Sequence, residues 1–115
     1  MQKFRGSLPG LVLGLILSLG AGSSNAQDID AQRFAQTQVA AEEGDARAQY
    51  RLAQFYELGM GTEKNPRNAF AWYEKSARNG YAKAQNLLGQ AYYWGRYGQP
   101  KNLGLAAEWF QRAAV

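Results

Sequence analysis

The chain has 115 residues, a formal net charge of +4, and neither cysteine nor histidine. That leaves room for one small domain and removes disulfides, thiol and imidazole catalysis, and most zinc or iron sites. With 46% hydrophobic and 19% charged residues it does not have the composition of a disordered tail.

Residues 1–26 have the form of a signal peptide. Lys3 and Arg5 give a positive start, Leu8–Leu19 is apolar, and Ser24-Asn25-Ala26 has the small-x-small pattern that a signal peptidase accepts. Leu8–Gly22 spans 15 residues with four glycines, short of the roughly 20 helical residues that cross a bilayer. The expectation is therefore a bacterial protein exported to the periplasm or the medium, cleaved near Ala26, with no stable membrane span afterwards. No cysteine follows the apolar run, which argues against a lipid-modified terminus. The mature chain, Gln27–Val115, carries eleven basic and nine acidic side chains. Nucleic acid is then not expected as a partner, by charge or by compartment.

Residues 27–43 read as one capping helix. Asp28 and Asp30 lie at its positive end, and Ala31, Phe34, Ala35 and Val39 are expected to form its inward side. It stands where the second helix of a preceding repeat would stand, but lacks that helix's tryptophan.

The rest of the chain repeats itself, as residues 44–79 and 80–115. At an offset of 36, Gly44, Ala46, Ala48, Gln49, Leu52, Tyr56 and Gly59 recur as Gly80, Ala82, Ala84, Gln85, Leu88, Tyr92 and Gly95. One extra residue then enters the second copy. At an offset of 37, Gly61, Lys64, Asn65, Ala69, Trp72 and Ala77 recur as Gly98, Lys101, Asn102, Ala106, Trp109 and Ala114. Each copy predicts two antiparallel helices. The first helix of copy one runs over about 46–58, with Ala48, Leu52 and Tyr56 on one stripe, and Gly59-Met60-Gly61 stops it. The second starts at Asn65-Pro66, an N-cap followed by proline at the first helical position, and its stripe is Ala69, Trp72, Tyr73 and Ala77. In copy two the matching positions are Ala84, Leu88, Tyr92 and Gly95, then Asn102 as cap and Ala106, Trp109, Phe110 and Ala113 as stripe. Small residues facing large aromatics let helix axes approach closely while the rings fill the wedges between turns. The fold expected is all-α, a short right-handed α-solenoid of antiparallel helix pairs.

The string Gly44-Asp45-x-x-Ala48-Gln49-x-x-Leu52-Ala53-x-x-Tyr56-x-x-Gly59-x-Gly61, followed by Asn65-x-x-x-Ala69-x-x-Trp72-Tyr73-x-Lys75-x-Ala77, resembles the Sel1-like repeat, a relative of the tetratricopeptide repeat. The second copy matches from Gly80 to Ala114, with Gly89 where the first has Ala53 and Arg96-Tyr97 in place of Met60. The resemblance implies a non-enzymatic scaffold that holds a protein or peptide in the cell envelope. It places the binding surface on the non-stripe positions of each first helix: Arg47, Tyr50, Arg51, Gln54, Glu57 and Leu58, then Lys83, Asn86, Leu87, Gln90, Tyr93 and Trp94.

The dense aromatics Tyr92, Tyr93, Trp94 and Tyr97 allow an alternative, a module that binds cell-wall glycan or peptide through an exposed patch. Lys64, Arg67, Lys75, Arg78 and Lys83, interrupted by Glu63 and Glu74, read as a solvated face. Glu42, Glu43 and Asp45 are explained by the start of a helix, where negative charge is favourable. No residue is assigned a catalytic or metal-binding role, and no cofactor is expected. The chain closes inside the last helix, which points to self-association through the C-terminal repeat.

Overall fold

The structure, a computed structural model, describes residues 25–115, so all of the expected signal peptide except Asn25 and Ala26 lies outside the described residues. Five helices follow: α1 (Ala26–Glu42), α2 (Ala46–Leu58), α3 (Pro66–Arg78), α4 (Ala82–Trp94) and α5 (Leu103–Ala114). Among the described residues there is no strand. Each helix packs on its chain neighbours, α2 with α3 and α4 with α5 as tight pairs, giving a short solenoid rather than a closed bundle.

Local chemistry sets the helix ends. Asn65 and Asn102 each accept, through Oδ1, the backbone N–H three residues on, at 3.0 Å. Asn25 and Asp45 cap α1 and α2 in the same way. Tyr81 precedes α4 without any side-chain cap. Gly59 and Gly95 close α2 and α4 in the left-handed conformation. The hairpins are then tied by equivalent backbone bonds, Asn65 N–H to Tyr56 C=O at 2.7 Å and Asn102 N–H to Tyr92 C=O at 2.8 Å. The extra residue of the second copy is therefore absorbed inside its turn.

The repeat positions form the core. Leu52, Ala69, Ala84 and Leu88 are completely buried, Ala106 and Trp109 nearly so. Ala48, Tyr56, Trp72 and Tyr92 are half-buried. A lysine or arginine three residues on lies 4.6 Å above the tryptophan ring of α3 and of α5, Lys75 over Trp72 and Arg112 over Trp109, so equivalent cations cover equivalent indoles. Between α4 and α5 the close approach falls at Gly89, where a Cβ would come within 2.6 Å of the Phe110 ring.

The junction between successive pairs is built twice with the same groups. Phe34 meets Tyr56 edge-on at 5.4 Å between α1 and α2, and Phe70 meets Tyr92 edge-on at 6.1 Å between α3 and α4. Gln49 Nε2 donates to the Ala41 carbonyl at 3.0 Å, and Gln85 Nε2 to the Ala77 carbonyl at 3.1 Å. Those carbonyls belong to the last turns of α1 and α3, where the i+4 bond is lost. Each accepts the backbone N–H three residues on, from Gly44 at 3.1 Å and Gly80 at 3.0 Å, and the glutamine supplies a second donor. Gln49 is also an acceptor, from Asn79 Nδ2 at 2.9 Å.

One face differs from expectation. Phe34, Thr37, Gln38 and Ala41 point inward on α1, while Ala31, Ala35 and Val39 are exposed. Counting apolar residues favoured the alanine side, but alanine buries little area. The register is set instead by Phe34 against Phe55 and Tyr56 and by Gly61. A Cβ at Gly61 would collide with the Asp30 carbonyl, and its φ is +73°, so only glycine lets α1 lie on that turn.

Gln85→Ala is expected to lower stability by about 0.5–1.5 kcal/mol, because the Ala77 carbonyl loses one of its two donors and keeps only the Gly80 N–H. Gln49→Ala should cost more, because Asn79 loses its acceptor as well. Urea melts followed by helical circular dichroism read both. A wild-type midpoint for Gln49→Ala would show the clamp to be dispensable.

Candidate functional site

With the core stripes consumed, α2 and α4 each keep one free stripe. On α2 it is Arg47, Arg51, Gln54 and Leu58, at helical spacings of four, three and four. On α4 it is Lys83, Asn86, Gln90, Tyr93 and Trp94, and every one of these residues is exposed. The remaining three of the twelve expected binding residues are drawn inward. Tyr50 and Leu87 pack partly against the core, and Glu57 is taken up by internal hydrogen bonds.

The structure brings five of the expected residues round one hollow. Arg47, Tyr50, Arg51, Gln54 and Lys83, with Tyr81, line a cavity of about 360 Å³ between α2 and the start of α4. The Tyr50 ring forms its floor, edge-on at 5.2 Å to both Tyr73 and Tyr81. Burial first, then the nearby Tyr81 and Glu57, pushes the Tyr50 hydroxyl above its ordinary pKa, so it stays a neutral donor. Two shallower hollows continue across α1. One of about 390 Å³ is lined by Arg33, Gln36, Thr37, Arg51, Gln54 and Phe55. The other, about 230 Å³, lies beside Asp45, Arg47 and Arg51. Arg51 borders all three.

Sequence reasoning missed Tyr81 and the α1 residues. Tyr81 stands where the first copy has the cap Asp45, and giving up a helix cap for a large aromatic is the signal that could have marked it. Arg33, Gln36 and Thr37 were hidden because α1 reads as a cap alone.

The aromatic cluster separates. Tyr93 and Trp94 stay at the surface, 43% and 61% exposed, with rings edge-on at 4.8 Å and the Arg96 guanidinium 6.0 Å over the indole. Tyr97 does not join them. It takes a left-handed backbone, φ 57°, which costs a non-glycine residue about 1–2 kcal/mol. In return its ring packs on Phe70 and Tyr73 at 5.8 and 5.9 Å, and its hydroxyl donates to Glu57 Oε2 at 2.9 Å. Tyr73 donates to Glu57 Oε1 at 2.6 Å. One carboxylate thus ties α2, α3 and the second turn together. Burial raises the pKa of both hydroxyls far above the ordinary 10.0, and their bonds to Glu57 add to it.

A larger hollow, about 590 Å³, lies elsewhere, between α3 and the second turn, with Arg67 and Glu74 of opposite charge on its walls. Among the described residues no acidic cluster could hold a metal ion, and no helix is long and apolar enough to cross a membrane.

A family model, the Sel1 repeat, matches residues 46–81 and 82–114. The crystal structure of a Sel1 repeat protein from Oxalobacter formigenes superposes with a TM-score of 0.67 at 38% identity, over 70% of this chain and 59% of that one. A second solved structure is c5321, a protective antigen present in uropathogenic Escherichia coli strains that displays an SLR fold. It superposes at 0.65 with 34% identity, over 70% of this chain and 17% of that one. Among curated proteins, the chitin synthase regulator SKT5 of Saccharomyces cerevisiae is 45% identical over 49 residues, 43% of this chain and 7% of that protein. The chain therefore spans less than two thirds of each of these relatives.

The clasp at Glu57 has a pH signature. A tyrosine whose folded pKa is raised contributes stability that is complete below pH 10 and is lost as pH climbs from there towards the folded value. Tyr73 and Tyr97 should each cost about 1.4 kcal/mol per pH unit in that window. Absorbance at 295 nm and circular dichroism, followed together, should show these two ionising only as the helices melt. Phenolate formation near pH 10 in both, with helicity intact, would contradict the geometry. Glu57→Ala should destabilise by about 2–3 kcal/mol at neutral pH.

Proposed function

Since the chain belongs to the Sel1 repeat family, whose members are generally protein–protein interaction modules, we propose that it is an exported scaffold of the bacterial cell envelope. It works by holding a segment of another protein along α2 and α4, and it is not an enzyme. The observation that carries this reading is the pair of free stripes. Apolar positions at Leu52, Ala53, Leu88 and Ala91 are spent inside, while Arg47, Arg51, Gln54, Gln90 and Trp94 on the same helices remain open. Polar residues beside a few large aromatics are the make-up of a recognition surface.

Export rests on the leader pattern, Lys3 and Arg5 before the Leu8–Leu19 run and Ser24-Asn25-Ala26 after it. Cleavage after Ala26 removes the Asn25 cap, and Asp28 remains in the first turn to favour the helix start.

The second reading is glycan recognition by Trp94, whose 61% exposure favours it. Sugars stack flat on an open ring face, and here Arg96 sits over the indole while Tyr93 meets it edge-on. The protein reading is the better match.

Photo-crosslinking residues placed at Gln54 and Gln90 in the native cell should capture one defined partner, identified by mass spectrometry, and equivalents at Arg67 and Ala71 should not. Capture from Arg67 and Ala71 alone would remove the assignment of the face. A tryptophan fluorescence shift with soluble wall fragments, lost in Trp94→Ala, would favour the glycan reading. N-terminal sequencing of the extracytoplasmic fraction should begin at Gln27, and a chain retaining Met1 in the cytoplasm would refute export.

A further inference from the structure

We propose that the partner segment is acidic: the groove across α1, α2 and α4 is a site for a carboxylate-rich stretch of peptide. The inference rests on the reading of this face as the docking surface and adds the chemistry of what docks.

Four cations border the three connected hollows, Arg33, Arg47, Arg51 and Lys83, together with the neutral donors Gln36, Gln54, Tyr50 and Tyr81. Asp45 is the one acid on the lining, and its carboxylate already accepts the Ala48 N–H as a helix cap. Glu57, the other acid on this side of α2, is turned inward and held by the hydroxyls of Tyr73 and Tyr97, and does not line the three hollows. Among the described residues one ion pair forms, Arg78 with Glu74 on α3, so none of the four groove cations is neutralised by a described carboxylate. Residues 27–115 carry eleven basic and nine acidic side chains, which makes the one-sided lining local rather than a by-product of a basic protein.

Exposed arginines around a hollow with adjoining hydroxyl and amide donors match side-chain carboxylates, which accept charge-assisted and bidentate hydrogen bonds. A bilayer surface suits the groove less well, since a flat array of head groups does not follow a concave wall. The hollow of about 590 Å³ between α3 and the second turn lacks this character, because its lining carries Glu74 as well as Arg67.

The test uses the full chain and three fluorescein-labelled synthetic peptides of about eight residues, about 26 Å extended. One alternates glutamate with serine, one glutamine with serine, one lysine with serine. Fluorescence anisotropy should show the glutamate peptide binding about tenfold or more tighter than the glutamine peptide at low salt. The advantage should shrink as salt is added, and the lysine peptide should not bind. Arg51→Gln should weaken the glutamate peptide about tenfold with circular dichroism unchanged, whereas Arg67→Gln, which removes the same charge from α3, should leave it within about twofold.

Equal affinity for the glutamate and glutamine peptides, equal loss in both variants, or no binding of the glutamate peptide overturns the proposal. So does co-sedimentation with phosphatidylglycerol vesicles that is lost in Arg51→Gln while the glutamate peptide stays unbound. Crosslinking from Gln54 reads the face without reference to charge. A defined partner captured there alongside indifferent peptides would therefore remove the acidic preference and leave the docking surface standing.

Discussion

The junction between one helix pair and the next is the constraint on which this molecule depends. A solenoid has no closing contact to hold its ends together, so each interface must be specified by itself. Here an aromatic pair supplies area and a buried glutamine supplies direction. Gln49 and Gln85 each reach back eight residues to a carbonyl in the last turn of the preceding helix, adding a second donor to the backbone N–H it already accepts. A buried amide bonded in this way tolerates little change of angle or register. Repeating it at both junctions gives α1 and α3 the same relation to α2 and α4, although α1 belongs to no complete pair.

That arrangement decides what is left over for function. The first helix of each pair is used on one side by its own partner and on another by the preceding helix, and only a narrow stripe escapes. What the stripe displays is not under packing pressure, so it can differ between copies. In α2 it runs from arginines to Leu58; in α4, from Lys83 to Trp94. Sequence identity between copies is high where residues are buried and falls along this stripe, which is how one scaffold carries a surface of its own.

The second turn shows a local rule being overridden by tertiary contacts. Its extra residue places a tyrosine in a backbone conformation that suits glycine, and an aromatic next to Trp94 looks like part of a surface patch. Tyr97 instead folds back onto Phe70 and Tyr73 and shares Glu57 with Tyr73. The carboxylate expected on the binding surface is thereby drawn into an internal clasp, away from the lining of the neighbouring groove.

Much was legible from the residues alone. The period of 36 to 37, the asparagine caps, the glycine stops and the alternation of small with aromatic positions determine five helices paired in order, because each of these signals acts within a few residues along the chain. The inward positions Leu52, Ala69, Leu88 and Trp109 follow from helical spacing for the same reason. Phe70 and Ser76 are as deeply buried and were not singled out, since they lie off the conserved repeat register. The side of α1 that turns inward, the inward turn of Tyr97, the loss of Glu57 to the interior and the convergence of Arg33, Arg51 and Lys83 were decided only in three dimensions. Each of these depends on a contact between residues far apart in the chain, and spacing along a helix carries no information about which distant ring, carbonyl or charge will be opposite.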